Sequence, residues 1–305
     1  MKNIIIILLI IIAIGLGLYA LIPNSSDDED IYENQNNIVD LNKSQDNDLD
    51  TNEPLKISDD DPVIGKSEGG YDIKAYTYGD GDTEILFVGG IHGGYEWNTV
   101  ILAREAMDYF ETNPDTIPNN VKVTIIPVLN PDGLKKVVGS PENFSLSDVP
   151  MDSADTVIGR FNTNEVDLNR NFDCEWQTTG TWQNKTVSGG SKAFSESESQ
   201  AIRDYIETKQ PQAVVVWYSA AGGVYSSSCR NGILSETKDL TSAYAKASGY
   251  KSYEEFDSYE ITGDMVNWLA KENIPAISVL LATHNKSEWL ENKAGIESVL
   301  KYYKK

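Results

Sequence analysis

The chain has 305 residues, 40% of them hydrophobic, which is enough for one sizeable core. Its formal net charge of -22 argues against a nucleic-acid partner, because phosphates would be repelled. The charge identifies no substrate.

Residues 3–23 are almost wholly apolar, Lys2 is the only charge before them, and a dense acidic run follows. A stretch of roughly 20 such residues can span a bilayer, and the positive-inside bias leaves the bulk of the chain outside the cell. The expectation for residues 1–23 is a single-pass signal anchor, with secretion the outcome if the segment is cleaved. Residues 24–61 hold thirteen acidic residues and two lysines, half of the net charge, with no apolar periodicity. Such a segment reads as a disordered, solvated tether. The folded part is expected over residues 62–305. Cys174 and Cys229, the only cysteines, lie in loop-like sequence and in an extracytoplasmic protein are expected to pair.

From residue 62 the chain alternates strand and helix patterns. Tyr71 to Tyr76 alternates like a half-buried strand, and Glu84 to Val88 reads as a more buried one. Trp97 to Phe110 carries an apolar helical stripe through Val100, Ala103, Met107 and Phe110. Val121 to Val128 is β-rich and ends in the turn signal Asn130-Pro131-Asp132-Gly133. Residues 134–194 are loop-like, a length more often functional than incidental. Ser195 to Glu198 has the form of a capping box opening a helix through about Lys209. Gln212 to Tyr218 reads as a parallel-sheet strand. Helices follow near 236–248 and 263–272, then a buried strand at Ala276 to Leu281 and a closing helix over 287–303. The fold class is α/β: one domain, a mixed, mostly parallel central sheet, helices on both faces.

The stretch Ile85 to Asn98 is the chemical centre. A β-branched run ends in Gly89-Gly90, His92 follows, and Glu96 opens a helical pattern after two more glycines. In open α/β sheets, ligands sit just beyond strand C-termini, which is where His92 falls. His92 is one of two histidines in the chain; the other is His284.

Gly89-Gly90-Ile91-His92 with Glu96, Asn130-Pro131-Asp132-Gly133, the string Val166-Asp167-Leu168-Asn169-Arg170-Asn171-Phe172, and Tyr259 ahead of Gly263 and Trp268 together resemble the zinc carboxypeptidase family. The resemblance covers residues 65–305. It implies one zinc ion held by His92 and Glu96, a substrate carboxylate anchored by Asn169 and Arg170, and Arg160 facing the charge that develops on the scissile carbonyl. Tyr259 would close over the substrate. The chemistry is coherent on its own terms: a catalytic zinc takes three protein ligands and a water, a carboxylate removes the water's proton, and a guanidinium grips a carboxylate through two bonds.

Three positions depart from the family pattern. Three residues, not two, separate His92 from Glu96. Tyr218 stands where the third histidine ligand belongs, and Leu280 stands at or beside the place of the catalytic glutamate. His284 is therefore the expected third ligand and Glu288 the expected base. The leading expectation is a membrane-tethered, extracytoplasmic carboxypeptidase acting on peptides with a free C-terminal carboxylate, cell-wall peptides among them. The alternatives are a non-catalytic module that binds peptide C-termini, and a metal-dependent amidohydrolase of small acylated amino acids.

Overall fold

A computed structural model describes residues 63–305. The anchor expected over 1–23 and the tether over 24–61 lie outside the described residues. Among the described residues, no helix is long and apolar enough to cross a membrane.

The chain opens with short strands β1 (Val63–Lys66), β2 (Asp72–Lys74) and β3 (Tyr76–Tyr78), then the buried β4 (Thr83–Val88). Helix α1 (Trp97–Thr112) leads to β5 (Val121–Ile126) and α2 (Pro131–Val138). A hairpin, β6 (Thr179–Trp182) with β7 (Lys185–Ser188), precedes α3 (Ser197–Lys209) and the fully buried β8 (Ala213–Ser219). Then come β9 (Gly223–Ser226), α4 (Ser235–Ser248), β10 (Lys251–Tyr253), α5 (Met265–Lys271), β11 (Ala276–Leu281) and α6 (Trp289–Tyr303). Seven strands form one sheet in the order β10-β9-β11-β8-β4-β5-β3. The central β11, β8, β4 and β5 are parallel; β3 on β5 and β9 on β11 are antiparallel. This is the mixed, mostly parallel sheet read from the sequence.

Both faces of the central strands are covered, which is why β4 and β8 read as continuous apolar runs. Alternate residues serve different cores. Ile85, Phe87, Val215 and Trp217 pack against α1, α4 and α6 through Leu102, Phe110, Leu240, Tyr244 and Ile296. Leu86, Val88, Val214, Val216 and Tyr218 face α3 and α5 through Ile202, Ile206, Trp268 and Leu269. Phe87 stacks on Trp217 with ring centroids 5.3 Å apart, a geometry that adds about 1 kcal/mol to the area buried. The parity places Tyr218 on the α3/α5 side, at the C-terminal end of its strand.

Three expectations from sequence need correction. The strand expected over 71–76 is broken at Ala75 into β2 and β3. Asn130-Pro131-Asp132-Gly133 is not a simple turn but the start of α2: the Asn130 side chain accepts the Gly133 N–H at 2.8 Å, and proline occupies the first turn. Ser195 forms no capping box; its hydroxyl donates to Glu196 and receives a bond from Asn171, and the helix starts at Ser197. The region 134–194 is mostly irregular, as read from the sequence, and also holds the end of α2, a 3₁₀ segment at Ser153–Arg160 and the β6–β7 hairpin.

Candidate active site

A cavity of about 710 Å³ opens beyond the C-terminal ends of β4, β8 and β11. It is lined by His92, Glu96, Arg160, Asn169, Arg170, Tyr218, Tyr259, Leu280 and His284, among others. All the residues singled out from the sequence converge on it except Glu288.

The extra residue between His92 and Glu96 is absorbed locally. Residues Gly93–Glu96 form a single 3₁₀ turn ahead of α1. Gly93 has φ +44°, and a Cβ there would lie 2.6 Å from the Leu134 nitrogen, so only glycine fits. The turn brings His92 Nδ1 to 2.9 Å from Glu96 Oε1. The other ring nitrogen, Nε2, lies 3.3 Å from Asp167 Oδ1. Both contacts are close without being aligned as hydrogen bonds. His92 Nδ1 and Nε2 and Glu96 Oε2 are all buried and without a hydrogen-bond partner. Buried polar atoms left unpaired are costly and rare. Here they mark a place built for something else to bind.

The rest of that corner does not supply a third donor at metal-ligand distance. Tyr218 is buried, and burial pushes its phenol well above the ordinary range, with Asp264 and Glu96 adding to the effect. Its hydroxyl donates to Asn169 Oδ1 at 3.3 Å. The register pairs Tyr218 with Leu280 across β8 and β11, so the two departures from the family pattern stand side by side. His284 is half-buried; its Nδ1 lies 3.1 Å from Ser219 Oγ and its ring 4.7 Å from that of Tyr95. Burial lowers its pKa, Glu96 opposes that, and His92 and Arg160 add to it. His92, Glu96 and His284 do not bring three ligand atoms within 4.8 Å of one another; among the described residues only Glu68, Glu196 and Glu198 do. The expectation that His284 completes a ligand set is thus unmet in this arrangement.

Glu288, the expected base, is turned to its own loop. It takes a left-handed conformation, φ +53°, at the start of α6. Its carboxylate accepts the N–H groups of Ala282 at 2.9 Å and Thr283 at 3.1 Å and the hydroxyl of Tyr250. It fastens the loop that carries His284 and does not line the cavity.

The opposite end of the cavity is complete. A 3₁₀ turn at Leu168–Arg170, capped by Asp167, presents Asn169 and Arg170. One Asn169 amide N–H donates to Asp264 at 2.8 Å, and its oxygen accepts from the Met265 N–H at 3.1 Å. Asn169 is therefore held on both sides by the start of α5. Arg170 is 1% exposed. It donates through Nη1 to the Asn169 carbonyl at 2.6 Å, and through Nη2 and Nε to the Thr181 carbonyl at 2.7 and 3.3 Å. A guanidinium has five N–H groups, so two remain. Among the described residues no carboxylate lies within 4.0 Å of it. Gly263, φ +62°, packs against the Arg170 backbone, where a Cβ would come within 2.3 Å of the carbonyl oxygen. Tyr259 sits with its ring 5.9 Å from the guanidinium; burial raises its phenol pKa, while Arg160 and Arg170 pull the other way.

Arg160 is differently employed. Its Nε and Nη2 fork onto Asp167 Oδ2, both at 2.8 Å, and the guanidinium lies 4.5 Å from the Trp182 ring centroid. Burial alone would raise the Asp167 carboxyl, but Arg160, His92 and Arg170 hold it far below the usual carboxylate range. Asp167 and Asp264 received no role from the sequence. Asp167 lay in plain view within the 166–172 string; Asp264 carried no signal beyond its helix-capping type. Asn98 was missed as well: it donates to the carbonyls of Thr283 at 2.7 Å and Lys286 at 3.0 Å and accepts from Ser219 at 3.0 Å, tying the end of β8 to the His284 loop. A disulfide, Cys174–Cys229, links the segment after Arg170 to the loop after β9.

Known proteins resemble this chain in sequence and in fold. The zinc carboxypeptidase family model matches residues 62–300. Over 148 residues the chain is 32% identical to bacteriocin BCN5 of Clostridium perfringens, covering 48% of this chain and 15% of that protein. Over 164 residues it is 27% identical to a zinc carboxypeptidase of Simulium vittatum, about half of each chain (51%). The matched stretches thus span about half of one of these curated relatives and 15% of the other. Among solved structures, the murein-tripeptide amidase MpaA of Escherichia coli O157 superposes with a TM-score of 0.54 at 19% identity, over 80% of this chain and 92% of that one; at that identity the likeness is one of fold. With the family model matching residues 62–300, well over half of the chain, the chain belongs to the zinc carboxypeptidase family.

Proposed function

We propose that this protein recognises the free C-terminal carboxylate of peptides through Arg170 and does not cut them by the family's metal-assisted route. The observation that carries the reading is the Arg170 guanidinium: buried, without a carboxylate partner, and with two N–H donors to spare at the inner end of a cavity. An isolated buried charge is destabilising unless something compensates it. A ligand carboxylate is the natural bidentate partner of a guanidinium fork.

Family membership implies a zinc ion, so the donor set must be weighed. His92 and Glu96 fit: their unpaired buried atoms are what two ligands look like before the metal is bound. The third place does not fit, since Tyr218 is a neutral phenol engaged with Asn169 and His284 stands off toward Ser219. No carboxylate replaces Leu280, and Glu288 is consumed by its loop. The donors fall one short of a catalytic site, and the base is missing.

A second reading keeps hydrolysis. The unpaired His92 and Glu96 atoms favour it, because a weakly held metal completed by His284 would satisfy them. The peptides would be extracellular on either reading, with cell-wall peptides the first candidates and the apolar segment at 3–23 holding the domain at the membrane. The paired cysteines support that placement, since disulfides persist in oxidising compartments. The deciding experiment is calorimetric titration of the full chain with short peptides bearing free or amidated C-termini, with and without zinc, followed by product analysis. Binding that requires the free carboxylate, with the peptide recovered intact, is the expected result. Zinc-dependent release of the terminal residue establishes the second reading instead, and binding indifferent to amidation removes both.

A further inference from the structure

The outer wall of the same cavity carries information about the rest of the ligand. The loop between β10 and α5 is pinned by a run of aromatic contacts. Tyr253 stacks on Tyr225 at 4.7 Å, Tyr225 meets Phe256 at 5.5 Å, and Phe256 meets Tyr259 edge-on at 4.9 Å. Tyr259 in turn lies beside Arg170. The loop is therefore fixed relative to the buried guanidinium. Between and beyond these aromatic feet, Glu255, Asp257 and Glu260 line the cavity, and Glu175 lines it from the wall that follows Arg170.

Acidic side chains nearby have cations: Glu254 pairs with Lys238 at 3.2 Å and Asp173 with Lys271 at 2.6 Å. Glu175, Glu255, Asp257 and Glu260 have none within 4.0 Å among the described residues. One cation, Arg230, shares that outer lining. An acidic rim alone is ordinary solvated surface. Here it surrounds a cavity whose inner end holds an unpaired guanidinium and the partnerless buried atoms of His92 and Glu96. The inner end mixes charges, Arg160 and Arg170 among the buried Glu96, Asp167 and Asp264, with Arg170 the cation that has no carboxylate partner; the mouth is predominantly acidic.

Building on the carboxylate-clamp reading, the geometry points to a bipolar ligand: a peptide whose free C-terminal carboxylate reaches Arg170 and whose preceding residues carry ammonium groups, as lysine or another diamino acid does, facing Glu175, Glu255, Asp257 and Glu260. Exposed charges of this kind act mainly by steering approach and rejecting the wrong partner, and salt weakens them.

The test titrates the full chain with Ala-Lys-Lys-Ala and Ala-Glu-Glu-Ala, each with a free and an amidated C-terminus. Salt is set at about 20 mM and about 300 mM, either side of the point where the screening length is about 10 Å. The lysine peptide should bind about tenfold more tightly at low salt, a preference of the size that rim electrostatics supplies. That preference should shrink at high salt and in the combined variant Glu255→Gln, Asp257→Asn, Glu260→Gln. The variant keeps most of the chain's net charge, so a loss there assigns the effect to the rim and not to the acidic protein as a whole. Equal affinity for the two free peptides at low salt, or a preference unchanged in the variant, overturns the inference and leaves the clamp standing. Affinity unaffected by amidation overturns the clamp and the inference with it.

Discussion

The two ends of one cavity have fared differently. At the Arg170 end every side chain is positioned by another: Asp264 and the Met265 N–H hold Asn169, two carbonyls hold the guanidinium, and Gly263 admits the close backbone approach. At the His92 end the turn is equally well made, yet its ring nitrogens and one Glu96 oxygen lack partners, and the neighbouring strands offer a phenol and a leucine. Recognition needs a fixed cation in a dry recess; hydrolysis needs three ligands, an open position and a base. The two sets of requirements are distinct, and Tyr218 touches both, since its hydroxyl donates to Asn169.

The sharpest way to break that contrast is to repair the poorer end. In Tyr218→His combined with Leu280→Glu, one equivalent of zinc should survive dialysis where the unaltered chain retains none, and C-terminal hydrolysis should appear; inductively coupled plasma analysis and chromatography of peptide products measure the two. Zinc retained equally by both proteins would mean that His284 already serves as the ligand. The next largest effect tests the better end. Arg170→Ala should weaken binding of a free-carboxylate peptide about 100-fold, the ~3 kcal/mol of a charge-assisted pair, while the amidated peptide binds as weakly as before. Loss of both equally, with an unchanged melting temperature, would remove Arg170 from recognition.

A buried acid outside the cavity offers a contrast of another kind. Glu198 is fully buried beside Glu68, Glu196 and Asp132, and burial lifts its pKa to about 7 from 4.5. Because the folded pKa exceeds the unfolded one, its proton favours the native state below pH 4.5, and that contribution falls away as pH rises towards 7. Glu198→Gln should therefore flatten the stability profile between those values, by up to about 3 kcal/mol, as denaturant melts at several pH values would show. An unchanged slope would place the effect elsewhere. Asn98→Ala should cost about 1 kcal/mol by releasing the part-buried carbonyls of Thr283 and Lys286 and loosen the His284 loop to amide exchange, with peptide affinity kept. Glu288→Gln should cost about 1 kcal/mol through its loop contacts and leave peptide binding untouched; a change in peptide turnover would restore it as a base.

Much of this was legible in the sequence, and the reasons for the rest are specific. The buried strands and the long helices declare themselves through apolar runs and stripes, and β11 was read to the residue. Strands β9 and β10 were not, because strands of three or four residues are too short to show a periodicity, and they take shape only by pairing with each other and with β11. Asn130 satisfies the rules for a turn and for a helix cap alike, and only the packing of α2 against the His92 turn decides between them. The convergence of His92, Asn169, Arg170 and Tyr259 followed from family resemblance. The engagement of Glu288 by backbone N–H groups did not, since nothing in a sequence shows which way a carboxylate beside a helix start will turn.

The Cys174–Cys229 bridge joins segments 55 residues apart, and Cys229, Glu175 and Arg230 all line the cavity. Its consequence is one of timing. The width of the recess is set when the chain folds and oxidises, before any ligand arrives. The ordering entropy that a pair of free loops would surrender at each encounter has been spent once, during maturation. A binding surface of that kind holds nearly the same backbone empty and full.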